Sequence, residues 1–421
     1  MGAAFSSPSL LRSLRHRNFR LFVSGQSISL IGTWVTRLAT AWLVYRLTDS
    51  AFLLGLVGFC SQIPMLFLGP LAGVYVDRWD RQRVLVWMQA LSLVQSALLG
   101  ILTLSGLITV WQILLLQLAQ GMIGAIETPA RQAFVVTMLD DPADLSNAIA
   151  LNSSMVNGSR VVGPAIAGGL IAFLGEGWCF VLDAVSYIPV IWSLLAMRVV
   201  RREPPHAGAP VLAQLAVGYR YVMSFSPIRT ALILIAATSI FGIPHSVLMP
   251  VMAADVLGGG SDTLGLLMAA SGGGALGGAL YLASRQTVVG LGRAIAYSTM
   301  VYGLTLIGFA ASRHMTLSLL LLFVSGAGYM TAIAAANTFI QTLVDEHLRG
   351  RVMAFYTMAF LGTMPLGSLA AGSVANWIDA PTTIALGGMA CALTGAWFMS
   401  RLPALRAVVR PIYIERGILS P

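Results

Sequence analysis

The chain is a succession of long apolar runs broken by short polar stretches. A helix needs about 20 mainly apolar residues to cross the hydrocarbon core of a bilayer. By that criterion twelve runs qualify: 21–45, 52–76, 84–105, 110–137, 145–174, 178–198, 228–257, 263–284, 293–312, 315–344, 350–378 and 381–401. They are numbered here as spans 1 to 12. Most connections are very short, and the exception is 199–227 in the middle of the chain. The pattern predicts an all-α integral membrane protein.

The long connection opens with Arg198, Arg201, Arg202 and Glu203-Pro204-Pro205, which stops a helix. It continues with Leu212, Leu215, Tyr219 and Val222, a helical spacing that predicts a short amphipathic helix on the membrane surface. The chain thus divides into a first six-helix bundle over 1–198, a cytoplasmic linker over 199–227, a second bundle over 228–401 and a cytoplasmic tail over 402–421. The linker reads as a tether between halves, with a coupling strut as the second reading.

The halves resemble repeats of one another. Gln132, Asp140-Asp141 and Leu145-Ser146-Asn147-Ala148 parallel Gln341, Asp345-Glu346 and Leu348-Arg349-Gly350-Arg351. Gly163-Pro164 and Gly168 of span 5 parallel Pro365-Leu366-Gly367 and Gly372 of span 11. Two similar bundles with a site between them are the architecture of a carrier that rocks one half on the other.

Composition agrees: 57% of the 421 residues are hydrophobic and 10% are charged, against roughly a quarter charged in a soluble domain. The formal charge is +9, carried by arginine alone, since the chain contains no lysine. No basic stripe interleaved with aromatics accompanies it, so nucleic acid is not an expected partner. Of the 25 arginines, 21 fall on one side of the membrane if both termini share it; Arg46 and Arg313 lie on the other side, and Arg37 and Arg160 lie within spans. Basic loop residues stay in the cytoplasm, so both termini are expected there, in a bacterial inner (plasma) membrane. Cys60, Cys179 and Cys391 are far apart and read as small apolar packing residues.

An ionisable side chain inside a span is costly unless paired or facing water, which makes each one a candidate for function. The first half holds Arg37, Glu127, Arg131, Arg160 and Asp183; the second offers His245, Asn337 and Gln341 with several tyrosines. A division of labour follows, with charge handled by the first half and an apolar, aromatic wall supplied by the second. Glu127 suits a proton carrier, because a carboxylate in a low dielectric loads and unloads nearer neutrality. A fixed ion pair with Arg131, one turn on, is the equal alternative. Asp183 reads either as a second proton site or as a hydrogen-bonding group between helices. Arg37 and Arg160 hold an anionic substrate group or neutralise Glu127 and Asp183. His245, among Gly242, Pro244 and Pro250, reads more readily as a packing residue, and the prolines predict a broken span 7 that serves as a gate.

Gly272, Gly274 and Gly277 match a dinucleotide-binding spacing but lie inside an apolar span without a preceding strand, so close helix packing explains them better. No Walker loop, HExxH or GxSxG occurs. Neither an enzyme nor a cofactor or metal is expected.

The most characteristic stretch is GPLAGVYVDRWDRQR, Gly69 to Arg83, a charged turn between spans 2 and 3. With Gly73-x-x-x-Asp77-Arg78 and Arg81 it resembles the corresponding loop of the major facilitator superfamily. Glu127-Thr128-Pro129-Ala130-Arg131, Asn147-Ala148, Gly163-Pro164 and Leu348-Arg349-Gly350-Arg351 follow in the order seen in the enterobactin-exporter-like branch, which includes macrolide efflux pumps. The resemblance implies twelve helices in two pseudo-symmetric bundles acting as a monomer. It also implies export of a siderophore or an amphipathic drug against protons. It further implies that Asp77 locks an inner gate at the start of span 11 and that Gly163-Pro164 mark an exporter. Uptake by symport is the alternative, and a membrane receptor or enzyme a more distant one. Two positions depart from the family pattern: Asp80 replaces a glycine of the loop, and Gln117 stands where drug antiporters carry an arginine ahead of Gln120-Gly121.

Overall fold

A computed structural model describes residues 12–76, 79–139, 141–199, 211–285 and 287–419. Among them every regular element is helical, as lipid requires, since a helix satisfies its own backbone N–H and C=O groups. Twelve helices are long and apolar enough to cross a membrane. Spans 1 to 6 are Arg17–Thr48, Ala51–Gly69, Arg81–Leu104, Val110–Met138, Leu145–Leu174 and Glu176–Ala196. Spans 7 to 12 are Ser226–Val256, Ser261–Ala283, Leu291–Ala311, Met315–Leu343, Leu348–Trp377 and Ala380–Glu415. Twelve crossings leave both chain ends on one face, called here the terminal face.

Local chemistry sets where spans begin. Thr109 and Gln112 form a capping box at span 4, with the Gln112 side chain 2.7 Å from the Thr109 amide. The Asp379 carboxylate accepts from the Thr382 amide at 2.6 Å and starts span 12. Exposed tryptophans mark both interfaces: Trp111, Trp178 and Trp377 on the opposite face, Trp79 and Trp87 on the terminal face. Span 12 runs on through Pro403 and Pro411 to Glu415, so most of the tail is helical. Leu402, Leu405, Val409 and Tyr413 lie buried on one stripe of it and pack into the second half's core, which offsets the hydrogen bonds the prolines cannot make.

Three cores show how the halves meet. On the terminal face each half keeps its own: Phe19, Phe22, Leu85, Phe134 and Leu194 in the first, Ile228, Leu234, Ile295, Phe339 and Phe398 in the second. On the opposite face a single core joins them, with Leu43, Leu54 and Phe180 packed in one cluster with Met249, Met252, Phe309 and Ile384. The closest backbone approaches agree. A Cβ added to Gly55 of span 2 would lie 2.8 Å from Gly372 Cα of span 11, and one added to Gly168 of span 5 would lie 3.1 Å from Gly265 Cα of span 8. Tyr45 at the end of span 1 hydrogen-bonds Asp255 at the end of span 7. Along the stripe Ser154, Asn157, Val161, Pro164 and Gly168 of span 5, exposure falls steadily from the terminal face to the opposite face. The halves form a wedge, sealed on the opposite face and splayed on the terminal face.

Two smaller devices tie down the terminal face. Ahead of span 1, Arg12, Arg15 (2.8 Å) and His16 (2.8 Å) converge on the buried carboxylate of Asp144, and Ser13 Oγ bonds Asn147 Oδ1 at 2.6 Å. The His16 hydrogen bond first, and the Arg12 and Arg15 charges after it, hold the Asp144 carboxyl below the ordinary carboxylate range against the opposing effect of burial. A helix over Val211–Ser224 lies in the linker, with Gly218 against Arg351 and Phe355 and the Tyr219 ring tilted against that of Phe355 at 6.4 Å. The linker helix thus packs on the start of span 11.

Candidate functional site

At mid-length of spans 1 and 5, Arg37 and Arg160 converge on one ring. Their guanidinium carbons lie 5.0 and 5.5 Å from the centroid of Trp34, within cation–π reach. Gly163 permits this, because a Cβ there would collide with Trp34 Cβ and push span 5 off span 1. Arg37 is exposed although it sits in the middle of a span. Arg160 lies at the seam with the second half: its carbonyl packs on Gly272 of span 8, and its charge reaches Tyr329 of span 10. Neither guanidinium has a carboxylate partner among the described residues, and Arg160 Nε is buried without a hydrogen bond. Two cations held near one another, one with an orphaned donor, form an arrangement that a bound anion stabilises.

The acids of the first half are placed behind this pair. The Asp183 carboxylate is 1% exposed and accepts from Thr36 Oγ1 at 2.9 Å and Ser96 Oγ at 2.7 Å, both on Oδ2. It ties spans 1, 3 and 6 together, while Oδ1 is buried with no partner. Glu127 accepts from Gln89 Nε2 at 3.2 Å and makes no ion pair with Arg131 among the described residues. The fixed-pair alternative for Glu127 therefore falls away. Tyr187 stands within electrostatic reach of both Glu127 and Asp183 and meets Thr33 and Ser92. Gln120 Nε2 donates to Ser92 Oγ at 3.3 Å, and Gln117 Nε2 donates to Thr40 Oγ1 at 3.3 Å. The first half thus contains a continuous polar interior of hydroxyls, amides and two carboxyl groups.

The second half is quieter. Span 7 breaks into a π-helical turn over Thr238–Gly242, a 3-10 turn over Ile243–Ser246 and a second π-helical turn over Met252–Val256. His245 Nδ1 donates to the Gly242 carbonyl at 2.7 Å, satisfying a backbone group freed by the break, and its ring meets the edge of Tyr302 at 6.1 Å. Tyr302 packs on Tyr329 at 5.3 Å. The break predicted from Pro244 and Pro250 is present, and His245 serves it. Gln341 and Asn337 of span 10 bond each other, well apart from the arginine pair.

Of the gating residues, Asp77 and Arg78 lie outside the described residues. Gly73 lies in the helix Ala51–Val76, and Arg81 opens span 3 with a bond to the Ala133 carbonyl at 3.4 Å. Gly163 and Pro164 lie where span 5 meets spans 1 and 8. Gly272 and Gly274 press against spans 5 and 10, so packing accounts for these two, whereas a Cβ at Gly277 would meet nothing within 4 Å. Trp34, Tyr187, Ser92, Ser96 and Gln89 had no mark in the sequence, because aromatic, hydroxyl and amide side chains are ordinary inside spans. One signal was available for Trp34: it precedes Arg37 by one turn.

The model of the transmembrane secretion effector family, within the major facilitator superfamily, matches residues 8–411. The chain belongs to that family. It is therefore a multi-pass membrane transporter and not an enzyme. Among its relatives is the staphyloferrin A transporter of Staphylococcus aureus, 26% identical over 91% of this chain and 96% of the relative. Another is the multidrug efflux pump Tap of Mycolicibacterium fortuitum, 30% identical over 90% of this chain and 95% of the pump. In fold the chain is similar to the nucleoside transporter NupG, with a TM-score of 0.65, 16% identity and coverage of 94% of this chain and 99% of that one. The POT family transporter PepTSo is likewise similar, at a TM-score of 0.70, 12% identity and coverage of 93% and 99%.

Proposed function

We propose that this transporter exports a small amphipathic compound bearing at least one anionic group, and that Arg37 and Arg160 hold that group. The observation that carries the reading is the pair of guanidiniums on Trp34, without a carboxylate partner, at the seam of the wedge. Trp34 and the tyrosines of spans 9 and 10 supply the apolar counterpart for the rest of the molecule. Export rather than uptake is supported by the kinship with a staphyloferrin A transporter and a multidrug efflux pump. The terminal face, to which the sequence assigns 21 of the 25 arginines, is the cytoplasmic one in this reading. The splayed form then receives substrate from inside the cell. Asp183 and Glu127, joined through Tyr187, are the groups that exchange protons when the halves rock, making the transporter an antiporter of the bacterial inner membrane.

Comparing the metabolites released under iron limitation by a deletion strain, its parent and strains complemented with Arg37→Gln or Arg160→Gln tests this. Loss of anionic metabolites from the medium, restored by the native protein and by neither variant, is expected. Normal release with both variants, or loss confined to neutral and cationic compounds, would overturn the assignment of the arginine pair.

A further inference from the structure

Away from the central seam, the terminal face of the second half carries a crevice between the start of span 9 and the extension of span 12. Its volume is about 70 Å³. Leu291, Phe339, Leu402, Leu405 and Val409 form its walls, and Arg293 and Arg406 stand at its rim. Both arginines are exposed, and neither side chain has a hydrogen-bonding or ionic partner among the described residues. Arg410, one turn beyond Arg406 on span 12, is exposed and unpartnered in the same way.

Depth decides what fits. Span 12 has 36 residues, a length of about 54 Å at 1.5 Å per residue, more than the ~40–45 Å of a whole bilayer. Counted from Ala380, the hydrocarbon core ends near Ser400, and Leu402 to Tyr413 run through the headgroup layer. At that level a soluble anion meets a wall that is apolar apart from Arg293, Arg406 and the Tyr413 hydroxyl, while a detached hydrocarbon leaves the arginine charges unmet. A phospholipid offers both parts together, a phosphate and, next to it, the first methylenes of its chains.

We propose that this crevice is a binding site for an anionic phospholipid, with the phosphate on Arg293 and Arg406 and the glycerol-proximal methylenes against Leu402, Leu405 and Phe339. The crevice takes a short stretch of chain and leaves the remainder in the bilayer. A lipid seated there bridges span 9 to span 12 and steadies the second half while the first rocks. Assigning it to the inner leaflet rests on the orientation proposed above. The binding does not, so the two readings fail separately.

The test uses native mass spectrometry of the full chain in detergent, offered phosphatidylglycerol or phosphatidylcholine. A basic residue near an anionic surface contributes about fivefold, so a preference of roughly twenty-five-fold for phosphatidylglycerol is expected of the pair. Each single variant, Arg293→Gln or Arg406→Gln, lowers it by about fivefold, and the double variant brings it near parity. The control double variant Arg17→Gln and Arg20→Gln, which removes two exposed charges from the terminal face of the first half, keeps the full preference. Inorganic phosphate at equal concentration fails to displace the lipid. An unchanged preference in the Arg293/Arg406 double variant would overturn the proposal. An equal loss in the control would reduce the effect to diffuse surface charge, and displacement by phosphate would remove the role of the apolar walls; either result also overturns it.

Discussion

Gly168 is the position where one methyl group should change the conformational balance of the whole transporter. Its Cα faces span 8 in the seal of the opposite face, and an added Cβ would lie 2.8 Å from the Ser261 carbonyl oxygen and 3.1 Å from both Asp262 Cα and Gly265 Cα. All three are backbone atoms, so no rotamer relieves the contact; spans 5 and 8 must separate by several tenths of an ångström. Overpacking of this kind costs about 1–3 kcal/mol. That cost falls on the sealed form alone, because the splitting of the wedge on this face removes the contact. The ratio of sealed to open molecules should therefore drop by roughly five- to 150-fold in Gly168→Ala. Gly169 is the internal control, since a Cβ there meets nothing within 4 Å. Spin labels at Leu47→Cys and Trp377→Cys, exposed positions on the opposite face of the two halves, report the separation. Cys60 is replaced by alanine in this background, and Cys179 and Cys391 are buried. A longer-distance population should grow in Gly168→Ala and not in Gly169→Ala. Identical distance distributions in Gly168→Ala and the parent would refute the reasoning, as would equal movement in the control.

Asp183→Ala leaves the buried Thr36 hydroxyl without its acceptor and Ser96 with only its 3.3 Å contact to Gln95 Oε1, at about 1–3 kcal/mol for an unsatisfied group. The detergent unfolding midpoint should drop, and drop less in Asp183→Asn, which keeps an acceptor oxygen; equal midpoints in all three proteins would show that the knot between spans 1, 3 and 6 is not held there. At the terminal face the Asp144 carboxyl titrates below its ordinary value of 3.8. Its stabilisation of the clamp is thus complete above that pH and is lost as pH falls through the lower, folded-state value. Protease resistance of the segment around Arg12 to His16 should therefore differ between native protein and Asp144→Asn at neutral pH, and the difference should vanish only in strong acid. A difference that disappears already near pH 6 would contradict this.

The arginine pair shows how far sequence reading reaches into a site. Arg37 and Arg160 stand out because a charge inside a span is expensive wherever the helix is placed; Arg160 lies at the seam, and Arg37 shares the Trp34 ring with it. Their shared ring did not stand out, since Trp34 is an ordinary residue in a span. Glu127 and Arg131 looked like a pair at one-turn spacing, yet Glu127 takes Gln89 of span 3 instead. Spacing along one helix says who is able to meet; neighbouring helices decide who does.

From the amino-acid order alone come the twelve spans, the two six-helix halves and the break in span 7. Crossing lipid is a requirement met residue by residue within each segment, and proline breaks a helix locally. Only the tertiary structure decides that Asp183 knots three helices, that two unpartnered guanidiniums share Trp34, and that the wedge is sealed at Gly55–Gly372 and Gly168–Gly265. Those facts depend on the rotation and register of each helix against its neighbours, and helices that are apolar all round carry little of that information in their sequence.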